Sequence, residues 1–372
     1  MTLKELNNSN AIRTLSLFSG AGGLDIGAIK AGAQIVFAND MMKEACLTYR
    51  ENIGDHIVQG DINSLMDSIE KVDSPDLVIG GPPCQGFSVA GKMDESDKRS
   101  QLIWSYVKVV AITKPRAFIM ENVKALGVLK KWKTIRERLL TELRNLGYAV
   151  NFIILNATEY DVPQSRERIF IIGIRGNSTA MPNWDKMIRK YQHKAPTVRE
   201  TFKVLDKAGT GNNKGTCRAK ITLASNPILR KSPYAGMLFN GLGRPTRIDG
   251  YSATLPASMG GNKTPIIDER ELYNHCTPWI ESYHAQIMKD PSSAAFKEAP
   301  NFLRRMTVEE AALLQTFPID YIFCGSQSSK YTQIGNAVPC NMAQAVVTMV
   351  INILNGKEEI IYMPKTRLFD CI

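Results

Sequence analysis

The chain has 372 residues, 44% of them hydrophobic, and a net charge of +10. That length buries one large core with room for a second, smaller lobe, and the surplus of Lys and Arg favours a polyanionic partner, because each neutralised phosphate releases condensed counterions. Seven cysteines without a CxxC spacing and four scattered histidines (His56, His193, His275, His284) argue against a zinc site or a disulfide framework, so no metal is expected. The opening MTLKELNNSNAIRT lacks the apolar core of a signal peptide, and the longest membrane-like stretch, AVVTMVINIL, is only ten residues. The expectation is a cytoplasmic protein with reduced thiols and no membrane contact.

From Thr14 to Arg175, short apolar runs alternate with stretches of helical periodicity, the signature of an α/β, doubly wound parallel sheet. The strands are TLSLF, QIVFA, DLVIG, AFIM, VNFIIL and RIFIIGI. Between them lie LDIGAIKA ended by Gly32, MMKEACLTYREN, RSQLIWSYVKVVAIT stopped before Pro115, and WKTIRERLLTELRNL ended by Gly147. After Arg175 the texture changes: Lys203 to Arg247 holds nine basic residues and one acid, Asp206, amid Gly, Asn, Ser and Pro. Regular patterning returns at TVEEAALLQTF, and NMAQAVVTMVINILNG reads as a long helix able to pack back on the first domain. The division is 1–175, a loop-rich basic lobe 176–300, and a segment 301–372 that completes that lobe and returns.

The first strand runs into Phe18-Ser19-Gly20-Ala21-Gly22-Gly23 and then a helix, a turn that sets backbone N–H groups and a positive helix end beside a ligand crevice. A plain tight turn is the equal alternative. Asp40, after the second strand, suits a carboxylate accepting from both ribose hydroxyls, and Asp61, after the next, suits an adenine amino group; singly, either acid reads as a cap. The strongest signal is Gly80-Gly81-Pro82-Pro83-Cys84-Gln85-Gly86-Phe87-Ser88, where the carboxyl end of a strand delivers a thiol to the crevice on a proline-stiffened approach. Cys340 also follows a proline, yet it opens an amphipathic helix and reads as structural. Glu121, in Glu121-Asn122-Val123, falls beside Cys84 across adjacent strand ends, where a carboxyl group is costly without a partner. Gln164-Ser165-Arg166-Glu167-Arg168 offers two guanidinium groups on one side of an extended chain.

Together the blocks LFSGAGGLD, GGPPCQGFS, ENV, QSRER, RRMTVEEAALLQTFP and YTQIGNAVP, in this order, resemble the cytosine-5 DNA methyltransferases, above all the bacterial modification enzymes of restriction systems. The resemblance covers the chain except Gly176 to Pro300, which corresponds to that family's variable target-recognition region. It implies a Rossmann-like methyltransferase sheet with a smaller target-recognition domain, S-adenosylmethionine as methyl donor, double-stranded DNA as substrate, a monomer, and a companion restriction endonuclease. It also implies roles: Cys84 the nucleophile, Glu121 on cytosine ring nitrogen 3, Arg168 on the carbonyl oxygen with Arg166 nearby, and Phe18, Gly20, Gly22, Gly23, Asp40, Asp61, Leu102 and Asn336 around the cofactor. One departure is Ser16, where many members carry an acid. An RNA cytosine methyltransferase, a nicotinamide-dependent dehydrogenase and a non-catalytic DNA-binding protein stand as rivals; the dehydrogenase leaves GGPPCQ unexplained.

Overall fold

The structure is a computed structural model that describes residues 11–83, 101–176 and 179–364. It divides into two compact units. The first holds the described residues up to Asp161, with Glu167–Lys194 and Val338 onward; the second holds Val162–Arg166 and Ala195–Ala337.

In the first unit, β1 (Ile12–Leu17), β2 (Ala33–Asp40), β3 (Ile57–Gln59), β4 (Leu77–Gly80), β5 (Ala117–Val123), β6 (Tyr148–Asn156) and β7 (Glu167–Arg175) form one sheet in the order β3-β2-β1-β4-β5-β7-β6. Leu77, Val78, Ile79, Ala117, Phe118, Ile119 and Met120 in its middle are wholly buried, as expected of strands covered on both faces. Of the helices α1 (Gly23–Lys30), α2 (Lys43–Asn52), α3 (Gln101–Thr113) and α4 (Lys133–Asn145), α3 and α4 share one apolar cluster with alternate strand residues such as Leu15, Val78, Phe118 and Ile169. The last described helix, Cys340–Leu354, packs on α1 and β5. A Cβ on Gly27 of α1 would stand 2.5 Å from Ala343 Cβ and 2.6 Å from the Cys340 carbonyl, so glycine sets that close approach. Cys340 itself is fully buried.

Two expectations are corrected. The sheet is not all parallel, because β7 runs antiparallel to both β5 and β6. Only residues 157–166 join β6 to β7, too short a connection for the helical crossover that a parallel pair requires. Nor do the units break at 175 and 300. Trp184 Nε1 donates to the Asn151 carbonyl of β6 at 3.2 Å and the Asn183 N–H to the Ile361 carbonyl at 2.7 Å, which keeps residues 179–194 with the sheet.

The second unit is built from short pieces: the strands Thr222–Ile228, Met237–Phe239 and Lys297–Glu298 in one sheet, and Ile266–Asp268 paired with Leu303–Arg305. Its apolar core is small, centred on Leu223, Phe239, Ile266, Ile280, Ile287 and Leu303. The helix Val308–Leu314 opens on a capping box between Thr307 and Glu310.

Candidate active site

The crevice begins where β1 stops. Phe18, Gly20 and Gly22 all take positive φ (55°, 55° and 86°), which folds the chain back tightly into α1. The Gly20 N–H donates to Asp40 Oδ2 and the Met42 N–H to Asp40 Oδ1, both at 2.8 Å, so the carboxylate at the end of β2 fastens the turn. Burial raises the Asp40 pKa above the ordinary carboxylate value. A Cβ built on Gly20 would meet nothing within 4 Å, so open space lies over the turn. Asp61 is exposed beyond β3, accepting from the Asn63 N–H at 2.9 Å as the cap of a short turn. Phe18 and Leu102 are half-buried against the same apolar cluster, while Gly22 and Gly23 are buried.

Beneath the turn lies a polar group that the sequence reading missed. Asp25, in the first turn of α1, is completely buried; Tyr49 of α2 donates to its Oδ1 at 2.9 Å, and the same hydroxyl stands 3.1 Å from His56 Nε2. Burial pushes Asp25 up to about 6 and His56 down from its usual value. Ser16 and Ser19 share a buried hydrogen bond at 2.9 Å, so the position where an acid was expected carries a hydroxyl pair instead. The available signal was a lone carboxylate inside the apolar run LDIGAIKA.

The second half of the crevice forms at the ends of β4 and β5. Glu121 and Arg168 form an ion pair, Nε to Oε1 at 2.8 Å, with their side chains only 11% and 14% exposed. Neighbouring positions on antiparallel β5 and β7 deliver the two groups, since Val123 pairs with Arg168. Gly81 makes room for this: a Cβ there would stand 2.9 Å from Glu121 Oε2. Asn122 Nδ2 donates to the Pro82 carbonyl at 3.0 Å, which ties the Gly81–Pro83 segment to β5. Cys84 and residues 85–100 lie outside the described residues.

Arg166 and Arg168 have different partners: Arg166 is 1% exposed and donates its guanidinium to the carbonyls of Leu255 (3.1 Å) and Gly335 (2.9 Å). Asn336 is exposed at the end of the helix Gln327–Asn336, in the second unit, whereas Val338 onward belongs to the first. Gln315 grips that helix end, donating to the Ile334 carbonyl at 2.7 Å, and accepts from Gln164 at 3.0 Å. Among the described residues no cluster of His, Cys, Asp and Glu is arranged to hold a metal.

Comparison with known proteins places the chain in a family. The model of the C-5 cytosine-specific DNA methylases matches residues 12–352. The type II methyltransferase M.NgoFVII of Neisseria gonorrhoeae is 32% identical, across 95% of this chain and 90% of its own. M.MthTI of Methanothermobacter thermautotrophicus is 33% identical, across 92% and 97%. The crystal structure of the S. pombe Dnmt2 methyltransferase shares the fold, with a TM-score of 0.66 at 20% identity over 93% of this chain and 100% of that one. The chain belongs to the C-5 cytosine-specific DNA methylase family.

Proposed function

We propose that this protein, acting as a monomer, transfers a methyl group from S-adenosylmethionine to carbon 5 of a cytosine flipped out of duplex DNA, through a covalent bond from Cys84, as the modification enzyme of a restriction system. The observation that carries the reading is the Glu121–Arg168 pair set against Gly81–Pro83, one residue before Cys84. Carbon 5 of cytosine is too weak a nucleophile to take a methyl group unaided. The Cys84 thiolate adds to carbon 6, Glu121 in its protonated form gives a proton or hydrogen bond to ring nitrogen 3, and Arg168 stabilises charge on the carbonyl oxygen. Carbon 5, now enamine-like, takes the sulfonium methyl while the methyl–sulfur bonding pair stays on the sulfur; a base then removes the original hydrogen of carbon 5 as a proton, Cys84 departs with its bonding pair, and ring nitrogen 3 gives back any proton it took, restoring the ring. Flipping the base costs roughly a few kcal/mol in lost stacking and pairing.

The crevice residues fit the donor. Open space over Gly20 and the acids Asp40 and Asp61 at neighbouring strand ends suit a ribose-bearing nucleoside, and the N-terminal end of α1 suits a carboxylate on it. When bound, S-adenosylmethionine supplies an electrophilic methyl group. Phe18, Gly20, Gly22, Gly23, Asp40, Asp61, Leu102 and Asn336 would hold it. Arg166 acts as a positioning residue, since its two carbonyl bonds fix the turn that carries Asn336. The second unit supplies the basic surface for the duplex.

Bisulfite sequencing of plasmid DNA from cells expressing the protein tests the reading. One recurring sequence should contain a protected cytosine, and purified protein should transfer labelled methyl to that duplex and not to tRNA. Unprotected plasmid, or transfer to tRNA alone, would contradict it.

A further inference from the structure

Three loops of the second unit are fastened into one body by a buried arginine. Arg305, 2% exposed, donates to the carbonyls of Thr264 (2.8 Å), Lys220 (3.2 Å) and Ala219 (3.5 Å). A Cβ on Gly243 would stand 2.2 Å from Arg305 Nη1 and 2.4 Å from the Thr264 carbonyl, so the loop carrying Gly243 lies directly on this staple. The Gly243 N–H donates to the Asn262 carbonyl at 3.0 Å, and Gly241, at φ 82°, leaves no room for a side chain beside that same carbonyl. Such fastening gives the loops the rigidity that direct reading of a ligand requires.

What these loops present is cationic. The stretches Thr216–Lys220, Asn240–Thr246 and Ala257–Thr264 contain Arg218, Lys220, Arg244 and Lys263 and no acid. All four cations are exposed, and only Lys220 has an ion-pair partner among the described residues, Glu298 at 2.9 Å. Arg305 itself has no carboxylate partner among the described residues, and burial lowers its pKa. A desolvated guanidinium held only by carbonyls is costly in isolation, and a polyanion docked over it offsets that cost. The other two arginines between Lys203 and Arg247 are placed differently: Arg247 lies over the Tyr234 ring at 4.9 Å, and Arg230 follows the Thr222–Ile228 strand in the chain.

We propose that Arg218 and Arg244 are the base-reading residues of this protein, that the edges they take are those of guanines in the major groove, and that Lys263 holds a backbone phosphate. This rests on the second unit being the duplex-binding one. The planar fork of arginine matches the paired O6 and N7 acceptors of guanine, whereas the lysine ammonium is a point charge suited to phosphate.

The experiment measures binding of the intact protein to duplexes carrying its methylated site, found by bisulfite sequencing, and to duplexes with one guanine replaced by 7-deazaguanine, which lacks the N7 acceptor. Arg218→Ala and Arg244→Ala should each lose about 5- to 150-fold in affinity for the native site, and each variant should become indifferent to 7-deazaguanine at one position. Lys263→Ala should weaken binding to every duplex alike and lower the salt dependence by about one phosphate contact. All three residues are exposed, so folding is not at stake. If Arg218→Ala and Arg244→Ala keep wild-type discrimination within twofold while the protein still methylates its site, this assignment is overturned and the activity stands. A protein that methylates no duplex overturns the activity as well.

Discussion

In the first unit, Gly81 and Glu121 stand by the ends of strands whose central residues are apolar and wholly buried, whereas the second unit is fastened largely by polar side chains gripping backbone carbonyls. Gln164, Arg166, Arg305 and Gln315 reach across 150, 169, 41 and 19 residues of sequence respectively. A sheet core gives reacting groups a fixed platform, and its stability comes from area removed from water. Carbonyl grips instead let irregular loops be held rigidly without a large core. That suits the duplex-binding role proposed for this unit.

The contrast predicts that the second unit breaks at its polar contacts. Arg304 is bound to Glu310 at 2.6 and 2.8 Å and to Glu269 at 2.8 Å, and Glu310 is 1% exposed. Arg304→Met would strand the Glu310 carboxylate and should cost about 3–5 kcal/mol. Urea unfolding followed by Trp279 fluorescence and by proteolysis within residues 195–337 should report this loss there first. A loss below about 1 kcal/mol would show that the apolar cluster, not the polar grips, holds the unit.

A smaller effect is expected in the first unit, where Asp25 is a completely buried carboxylate. Its pKa is raised to about 6 from an ordinary 3.8, so the folded state binds its proton more tightly than the unfolded chain. Stability from this group is therefore greatest at low pH and falls as pH rises from about 4 through 6, by on the order of 1 kcal/mol between pH 5 and pH 7. His56, lowered by burial, acts in the opposite direction, and Asp40, raised, in the same one. The difference between wild type and Asp25→Asn isolates what this carboxyl contributes: the variant should gain relative stability as pH rises across this window. Parallel melting curves for the two proteins from pH 5 to pH 7 would refute the buried-carboxylate account.

Much of the first unit was legible because strands buried on both faces read as unbroken Val, Ile and Phe runs, and because Glu121 had to be explained at the end of one. The direction of β7 was not legible, since period-2 alternation carries no polarity; only the shortness of 157–166 hinted at it. The partners of Arg166 were hidden for a related reason, because alternation fixes which side a residue faces but not which distant carbonyls it meets. Asp25, Arg305 and Gln315 were missed because their partners are distant in sequence and backbone carbonyls leave no residue-type signature.

Covalent attack by Cys84 at the platform that Gly81, Glu121 and Arg168 build is the central claim, and a substrate that cannot complete the reaction tests it most directly. After transfer, carbon 5 holds both the new methyl and its original substituent; a hydrogen leaves as a proton, but a fluorine cannot leave as a cation. Duplex DNA with 5-fluorocytosine at the target position should trap the wild-type protein as an adduct through Cys84 that requires S-adenosylmethionine and survives a denaturing gel. Cys84→Ala should form none, and Cys340→Ala, altered only at a buried thiol on the last described helix, should form it normally. An active wild-type protein that yields no adduct, or one attached through a different residue, would contradict the mechanism.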